Sequence, residues 1–355
     1  MEKANDKIYR EIRKIVDDLR EGNAVLVIGP EIYQVNGVPL QRYVRQRVQE
    51  EHQDKIAAYY ERDGFFILKD QADKPEIRET MADIFLEIKP DTGLLEKIVR
   101  MPFSVMVSAN PDTFLSETAF QLGVKHKFHS FYPNAPEVVD EPTKDFPLIY
   151  NIAGNIRRET SLLLDYDDLM RLVEGLISAP KLPETLRAKM GVTKSFLFLG
   201  FQFDRWYTQL FLRLLNMNQA VRRLSDQLPA AGDEDVQAFL LKHFRIQFLG
   251  EEYNLVDMIY QACSDAGILR QAIEMPGEKR AGIVLHLQKG EPEKAVELLL
   301  DASRGTDLYD QATLLSGELS GLVKNQDSTD SRDLVTGRNR IANSILELTK
   351  QLPEL

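Results

Sequence analysis

A chain of 355 residues, 43% of them hydrophobic, is long enough to bury one large hydrophobic core and a smaller second one. The formal net charge of −11, without a basic stripe interleaved with aromatic residues, disfavours a nucleic-acid partner. One cysteine, no signal peptide and no long apolar segment predict a soluble cytoplasmic protein without a membrane partner.

An N-terminal segment with the periodicity of an amphipathic helix precedes four apolar runs, each of which ends in a glycine or a polar cluster. The runs lie at 23–29, 103–108, 146–154 and 194–200, and a last strand is predicted at 244–249. Helical patterns such as 167–178 and 206–217 alternate with these runs. Arginines at 42, 45, 47, 222 and 223 have the polar neighbours typical of solvated helix faces. The alternation predicts an α/β fold, a Rossmann-like parallel sheet with flanking helices.

A polar cluster follows the second apolar run and contains Ser108, Asn110 and Asp112. Ligands of open α/β sheets bind beyond the carboxyl ends of the strands, so Asn110 and Asp112 are candidate ligand contacts. Asn-Pro-Asp is also a turn sequence, in which both side chains hydrogen-bond their own loop. Both interpretations stay open at this point.

The order of these motifs resembles a SIR2-like domain, the NAD-binding sirtuin architecture, in the divergent form found in bacterial conflict and antiphage proteins. The resemblance covers most of residues 1–270. The segments that carry it are Gly29-Pro30-Glu31, Ser108-Ala109-Asn110-Pro111-Asp112, Ala153-Gly154-Asn155 and Gly200-Phe201-Gln202. It implies that NAD or a related nucleotide is bound by Gly29, Glu31, Ser108, Asn110, Asp112, Gly154, Gly200 and Gln202. Asn110 and Asp112 are then the catalytic candidates.

The sequence departs from the family pattern at two of these places. The family's general base is a histidine, and Ala153 stands in its place, where a methyl group cannot accept a proton. Pro30 has no N–H to donate to a pyrophosphate, and the carboxylate of Glu31 repels one. His126 and His129 are the candidates for a replacement base, and the alternative is that both are solvated surface residues.

Residues 1–274 and 275–355 are predicted to be separate domains, because a Pro-Gly pair at 276–277 precedes an all-helical stretch. Four amphipathic patterns predict an antiparallel bundle. Segments 289–299, 314–319 and 338–342 resemble the effector-associated domains of bacterial conflict systems, which act as adaptors through contacts between like domains. The resemblance implies a protein partner, and the polar residues Arg338, Asn339 and Arg340 are the candidate contacts. The alternative is that these helices only pack their own core.

Two functions follow from this sequence. The preferred hypothesis is a degenerate SIR2-like module that serves as a scaffold or nucleotide sensor in an antiphage assembly and recruits a partner through its C-terminal domain. The alternative is an active NADase that cleaves NAD to nicotinamide and ADP-ribose. The family resemblance also implies a homo-oligomer. No metal site is expected, because no Cys or His cluster has ligand spacing.

Overall fold

The computed structural model describes most of the chain. The described residues are 2–132, 141–177, 182–201, 203, 205–215, 217, 220–226, 234–249, 254–271, 278–288, 290–304, 308–324 and 331–352. They form two compact units, one of residues 1–120 and 124–272 and the other of residues 121–123 and 273–355. Within the described part, no helix combines the length and apolar character that a membrane span requires.

The first unit is built on strands and helices that alternate along the chain. Its strands are β1 (Ala24–Ile28), β2 (Gln34–Val35), β3 (Val38–Pro39), β4 (Ile56–Tyr60), β5 (Phe65–Leu68), β6 (Val105–Ser108), β7 (Lys127–Ser130), β8 (Leu148–Asn151), β9 (Ser195–Leu199), β10 (Arg222–Ser225) and β11 (Gln247–Phe248). Its helices are α1 (Glu2–Arg20), α2 (Leu40–Glu51), α3 (Lys74–Glu87), α4 (Thr92–Arg100), α5 (Phe114–Gln121), α6 (Tyr166–Ile177), α7 (Glu184–Val192), α8 (Trp206–Leu214), α9 (Glu234–Phe239) and α10 (Leu255–Asp265).

Seven of these strands form one parallel sheet in the order β11-β10-β9-β1-β6-β8-β7. The predicted Rossmann-like fold is therefore confirmed. All five residues of the central strand β1 are apolar and fully buried. A strand that is covered on both faces needs an unbroken apolar run of this kind, which is why the sequence identifies it. The short pairs β2–β3 and β4–β5 form two antiparallel hairpins outside the sheet.

The interpretation of Arg222 and Arg223 as part of a solvated helix face is wrong. Both residues lie in β10, and Arg222 pairs with the buried Asp18 of α1, with 2.6 Å between Nη2 and Oδ2. Arg223 donates to the carbonyl oxygens of Phe244 and Met217. The arginines of this strand thus neutralise a buried carboxylate and satisfy loop carbonyls, and neither role has a periodic sequence signal.

The strand order switches sides at β1, because β6 lies on one side of β1 and β9, which comes later in the chain, lies on the other. Ligands of doubly wound sheets bind at this switch point, beyond the carboxyl ends of the strands. In the pairing register, Ile28 lies beside Ser108 and Leu199, so the loops that follow these three strands meet at one edge. This edge is the carboxyl edge of the sheet.

The second unit consists of α11 (Glu278–Gln288), α12 (Pro292–Ser303), α13 (Tyr309–Lys324) and α14 (Ser331–Gln351). Four helices were expected here, with a break at Gly290, which has a φ of 70°, and a start at Pro292. Their apolar faces share one core, whose buried members include Ile283, Leu299, Leu319 and Ile345.

Candidate functional site

A cleft lies at the carboxyl edge of the sheet. Its main cavity, of about 150 Å³, has a floor of residues that follow four sheet strands, namely Pro30, Ala109, Ala153 and Phe201. Apolar side chains of α6 and α8 form its walls. The tip of the β4–β5 hairpin, residues 63–65, closes one side. A mostly apolar cavity with a few polar groups is typical of a small-molecule site.

A side cavity of about 100 Å³ lies next to the main one and shares five lining residues with it, Gln41, Gly64, Ala109, Ala153 and Leu163. Its other lining residues include Arg45 and Tyr59. Arg45 therefore lies at the cleft, and its interpretation as part of a solvated helix face is wrong. The periodicity of α2 shows that Val44 and Val48 are buried, but it does not reveal a cavity next to Arg45.

The loops after β1 and β9 are joined through Gly29 and Gly200. The Gly29 amide donates to Leu199 O at 2.7 Å, and the Glu31 amide donates to Gly200 O at 3.0 Å. A Cβ at Gly29 would lie 2.1 Å from Gly200 O, and Gly200 itself has a φ of 65°. Only glycine permits this approach. The N–H groups that a phosphate loop would present to a ligand are therefore used to join the two loops.

Asn110 connects the loop after β6 to the same junction. Its side chain is buried, and its Nδ2 donates to Gly29 O at 3.1 Å. The Asn110 amide donates to Ser108 Oγ at 3.1 Å. Asn110 also lines the side cavity. Asn110 thus fixes the conformation of its loop and also lines the cleft. For this residue, the turn interpretation and the ligand-contact interpretation are therefore compatible.

Asp112 lies two residues further along the same loop and is buried, and it lines neither cavity. Its Oδ1 accepts from the Phe114 amide at 3.0 Å at the start of α5, whereas its Oδ2 has no hydrogen-bond partner among the described residues. Burial, reinforced by the charge of Glu117, raises the pKa of the Asp112 carboxyl to about 7. The buried hydroxyl of Tyr33 also has no partner within the described part, and burial and the charge of Asp112 raise its pKa.

The loop after β8 provides the position at which the family resemblance expects a histidine. Ala153 lines both cavities. Gly154 has a φ of 96°, and a Cβ there would lie 2.3 Å from Ser161 O. The chain therefore keeps the glycine that the turn requires, and presents no acid or base at position 153.

The two candidate histidines do not line either cavity. His126 precedes β7 and so lies at the amino end of this parallel strand, away from the carboxyl edge. Its Nδ1 donates to Val124 O and its Nε2 accepts from Ser116 Oγ, both at 2.8 Å, and burial lowers its pKa. His129 lies within β7 beside Tyr150. The structure thus does not bring His126 to the cleft. Gln202 lies outside the described residues.

Asp165 lines the main cavity and belongs to a buried network of ion pairs. Lys74 Nζ lies 2.6 Å from both carboxylate oxygens of Asp165 and 3.0 Å from Asp168 Oδ1. Arg78 and Arg171 also pair with Asp168. Both carboxylates are almost fully buried, so their negative charges are compensated inside the wall.

In the second unit, two of the three candidate partner contacts form ion pairs. Arg338 pairs with Glu293, and Arg340 Nη2 lies 3.4 Å from Glu318 Oε2. The Arg340 side chain keeps 73% of its surface exposed. The side chain of Asn339 lies outside the described residues.

Two family models match this chain. Residues 104–249 match the SIR2-like domain, and residues 278–353 match effector-associated domain 11. The chain carries a SIR2-like domain followed by an effector-associated domain. A comparison with curated proteins finds no match. The SIR2-like match includes Asn110, Asp112 and Ala153 but begins after β1, so the Gly29–Glu31 loop lies outside the matched stretch.

The cleft of the SIR2-like unit does not fit a dinucleotide whose pyrophosphate rests on the loop after β1. Pro30 has no N–H, and the amides of Gly29 and Glu31 donate to the β9 loop. The main cavity nevertheless has the apolar lining that small-molecule sites commonly have. Within the described part of the chain, no group of three or more His, Cys, Asp or Glu residues could hold a metal ion.

Proposed function

We propose that this chain is a nucleotide-sensing scaffold of a bacterial conflict system. Its SIR2-like unit holds a nucleotide in the cleft without hydrolysing it, and its effector-associated unit recruits a protein partner. The observation that carries the proposal is Ala153, which lines both cavities at the position of the family's general base. The cleft keeps its apolar walls and the cavity-lining Asn110, whereas the family's proton-accepting histidine is missing.

The test is incubation of the purified full chain with NAD. Nicotinamide release is followed by chromatography and NAD binding by calorimetry. Asn110→Ala is compared with Asn23→Ala, because Asn23 precedes β1 at the opposite edge of the sheet and its amide contacts only Glu21 among the described side chains. Binding without release supports a sensor, and Asn110→Ala should weaken that binding while Asn23→Ala leaves it unchanged.

The alternative is an active NADase, and one observation favours it. Asp112 lies two residues after the cavity-lining Asn110 and is a buried carboxyl whose pKa is raised to about 7 by burial, so it can exchange a proton near neutral pH. Nicotinamide release that Asn110→Ala abolishes and Asn23→Ala leaves intact would contradict the sensor and establish the NADase. Absence of both binding and release would refute both, and would leave a scaffold without a ligand.

Partner recruitment is proposed to use the polar residues Arg338, Asn339 and Arg340 of α14. Arg338 and Arg340 already form ion pairs within the unit, so a partner would contact each arginine together with its paired glutamate. If the partner domain belongs to a second copy of the chain, Arg340→Glu should shift the full chain toward monomer in sedimentation velocity. Lys324→Glu, at the exposed end of α13, is the control and should leave the distribution unchanged.

A further inference from the structure

Arg45 lines the side cavity, and one N–H of its guanidinium has no acceptor among the described residues. Its guanidinium carbon lies 4.6 Å from the centre of the Tyr59 ring, and its Nη1 donates to Glu61 Oε1 at 2.6 Å. Its Nε is buried and has no acceptor among the described residues. Glu61 keeps 76% of its side-chain surface exposed, so this ion pair is weak and a stronger anion can displace it.

A second guanidinium, that of Arg205, lies at the adjoining main cavity. Arg205 lines the main cavity, and its Nη1 donates to the Tyr207 hydroxyl at 2.6 Å and to Asp63 O at 3.4 Å. Burial raises the pKa of Tyr59, whereas the charges of Arg205 and Arg45 lower it, so both charges act on this one ring. Two aspartates, Asp63 and Asp165, also line the main cavity, and Lys74 compensates the charge of Asp165.

A nucleotide in this cleft needs donors for its phosphate other than the loop after β1, whose amides are engaged. The planar fork of arginine matches phosphate oxygens, and it is the side chain most suited to replace a missing phosphate loop. We propose that Arg45, together with Arg205 of the adjoining cavity, binds the phosphate of a nucleotide whose base lies in the apolar main cavity. This inference rests on the proposed nucleotide-holding function.

The experiment compares ADP with adenosine in calorimetric titrations of the full chain, because the two probes differ only in the phosphates. The wild type should bind ADP about 10- to 100-fold more tightly than adenosine. Arg45→Gln should remove most of that difference by weakening ADP binding and leaving adenosine binding unchanged. Arg45→Lys, which keeps the charge but loses the fork, should fall between the two.

Arg47→Gln is the matched control. Arg47 lies two residues further along α2, and its guanidinium pairs with Glu51 and Glu87 and not with a cavity-lining group. The Arg47→Gln variant should bind ADP and adenosine with the same affinities as the wild type. Thermal unfolding without ligand confirms that each variant is folded, and Arg205→Gln, which should also weaken ADP selectively, replaces Arg45→Gln if the latter does not fold.

Three results would overturn the inference. If Arg45→Gln weakens ADP and adenosine equally, Arg45 only supports Tyr59. If it weakens neither while the wild type binds ADP, the phosphate lies elsewhere, and the proposed sensing function survives. If the wild type binds neither probe nor NAD, the sensing function fails together with the phosphate site.

Discussion

Asp112→Asn is expected to change how the stability of the SIR2-like unit depends on pH. In the folded protein burial raises the pKa of Asp112 from 3.8 to about 7, and in the unfolded chain the carboxyl has its ordinary pKa. Between these values the folded state holds a proton that the unfolded state has released, so this group makes the protein less stable as the pH rises. Between pH 5.5 and 8 the loss is about 2 kcal/mol. Because asparagine cannot ionise, the Asp112→Asn variant should not show this loss of stability.

The assay is urea unfolding followed by the fluorescence of Trp206, the single tryptophan, which lies in the SIR2-like unit at the start of α8. The quantity compared is the free energy of unfolding of Asp112→Asn minus that of the wild type. It should rise by about 2 kcal/mol from pH 5.5 to 8, whatever constant cost the new amide adds. Asp83→Asn removes an exposed carboxylate of α3 and should show no such rise. A difference that is the same at both pH values would refute the reasoning for Asp112.

Two further substitutions test the loop junction and the ion network by urea unfolding. Gly200→Ala should destabilise by more than the ~1–2 kcal/mol that a left-handed backbone costs an alanine, because its Cβ would lie 2.3 Å from a backbone nitrogen. Gly22 has a similar φ but open space around the position of a Cβ. Equal losses of stability in Gly22→Ala and Gly200→Ala would therefore contradict the close approach of the two loops. Lys74→Met should cost about 3–5 kcal/mol because it leaves Asp165 buried and unpaired. Lys97→Met, which breaks an exposed pair, should cost less than about 1 kcal/mol, and similar losses would count against a buried network.

The strands that could be predicted from sequence are those buried on both faces. The central strand β1 and its neighbours β6 and β9 are such strands, and their apolar runs are visible without knowledge of the fold. Strand β10 begins with two arginines, and its assignment depends on partners such as Asp18, which lies 204 residues away in the chain. Charge compensation over that distance has no local pattern, so the sequence could not reveal it.

The candidate site also has features that the sequence predicts and features that it does not. The position of Asn110 and Ala153 at the carboxyl edge followed from the order of strands and loops, because parallel strands bring their ends together. The Gly29–Gly200 junction and the cavity beside Arg45 depend on how separate loops and a hairpin pack, and neither could be read from spacing. The residues around His126 do not show where β7 begins, so the sequence could not tell that this histidine precedes the strand and lies at its amino end.

The dual role of Asn110 determines how its alanine variant must be interpreted. Removing the amide leaves Gly29 O without its donor, which costs about 1–3 kcal/mol. A domain with a typical stability of about 5 kcal/mol or more would keep at least about 2 kcal/mol, so above about 95% of the molecules would stay folded. Unfolding alone could then reduce binding or turnover by only a few per cent. A tenfold loss in Asn110→Ala, with Asn23→Ala unchanged, would therefore report on the cleft itself, either through a lost ligand contact or through a displaced β1 loop.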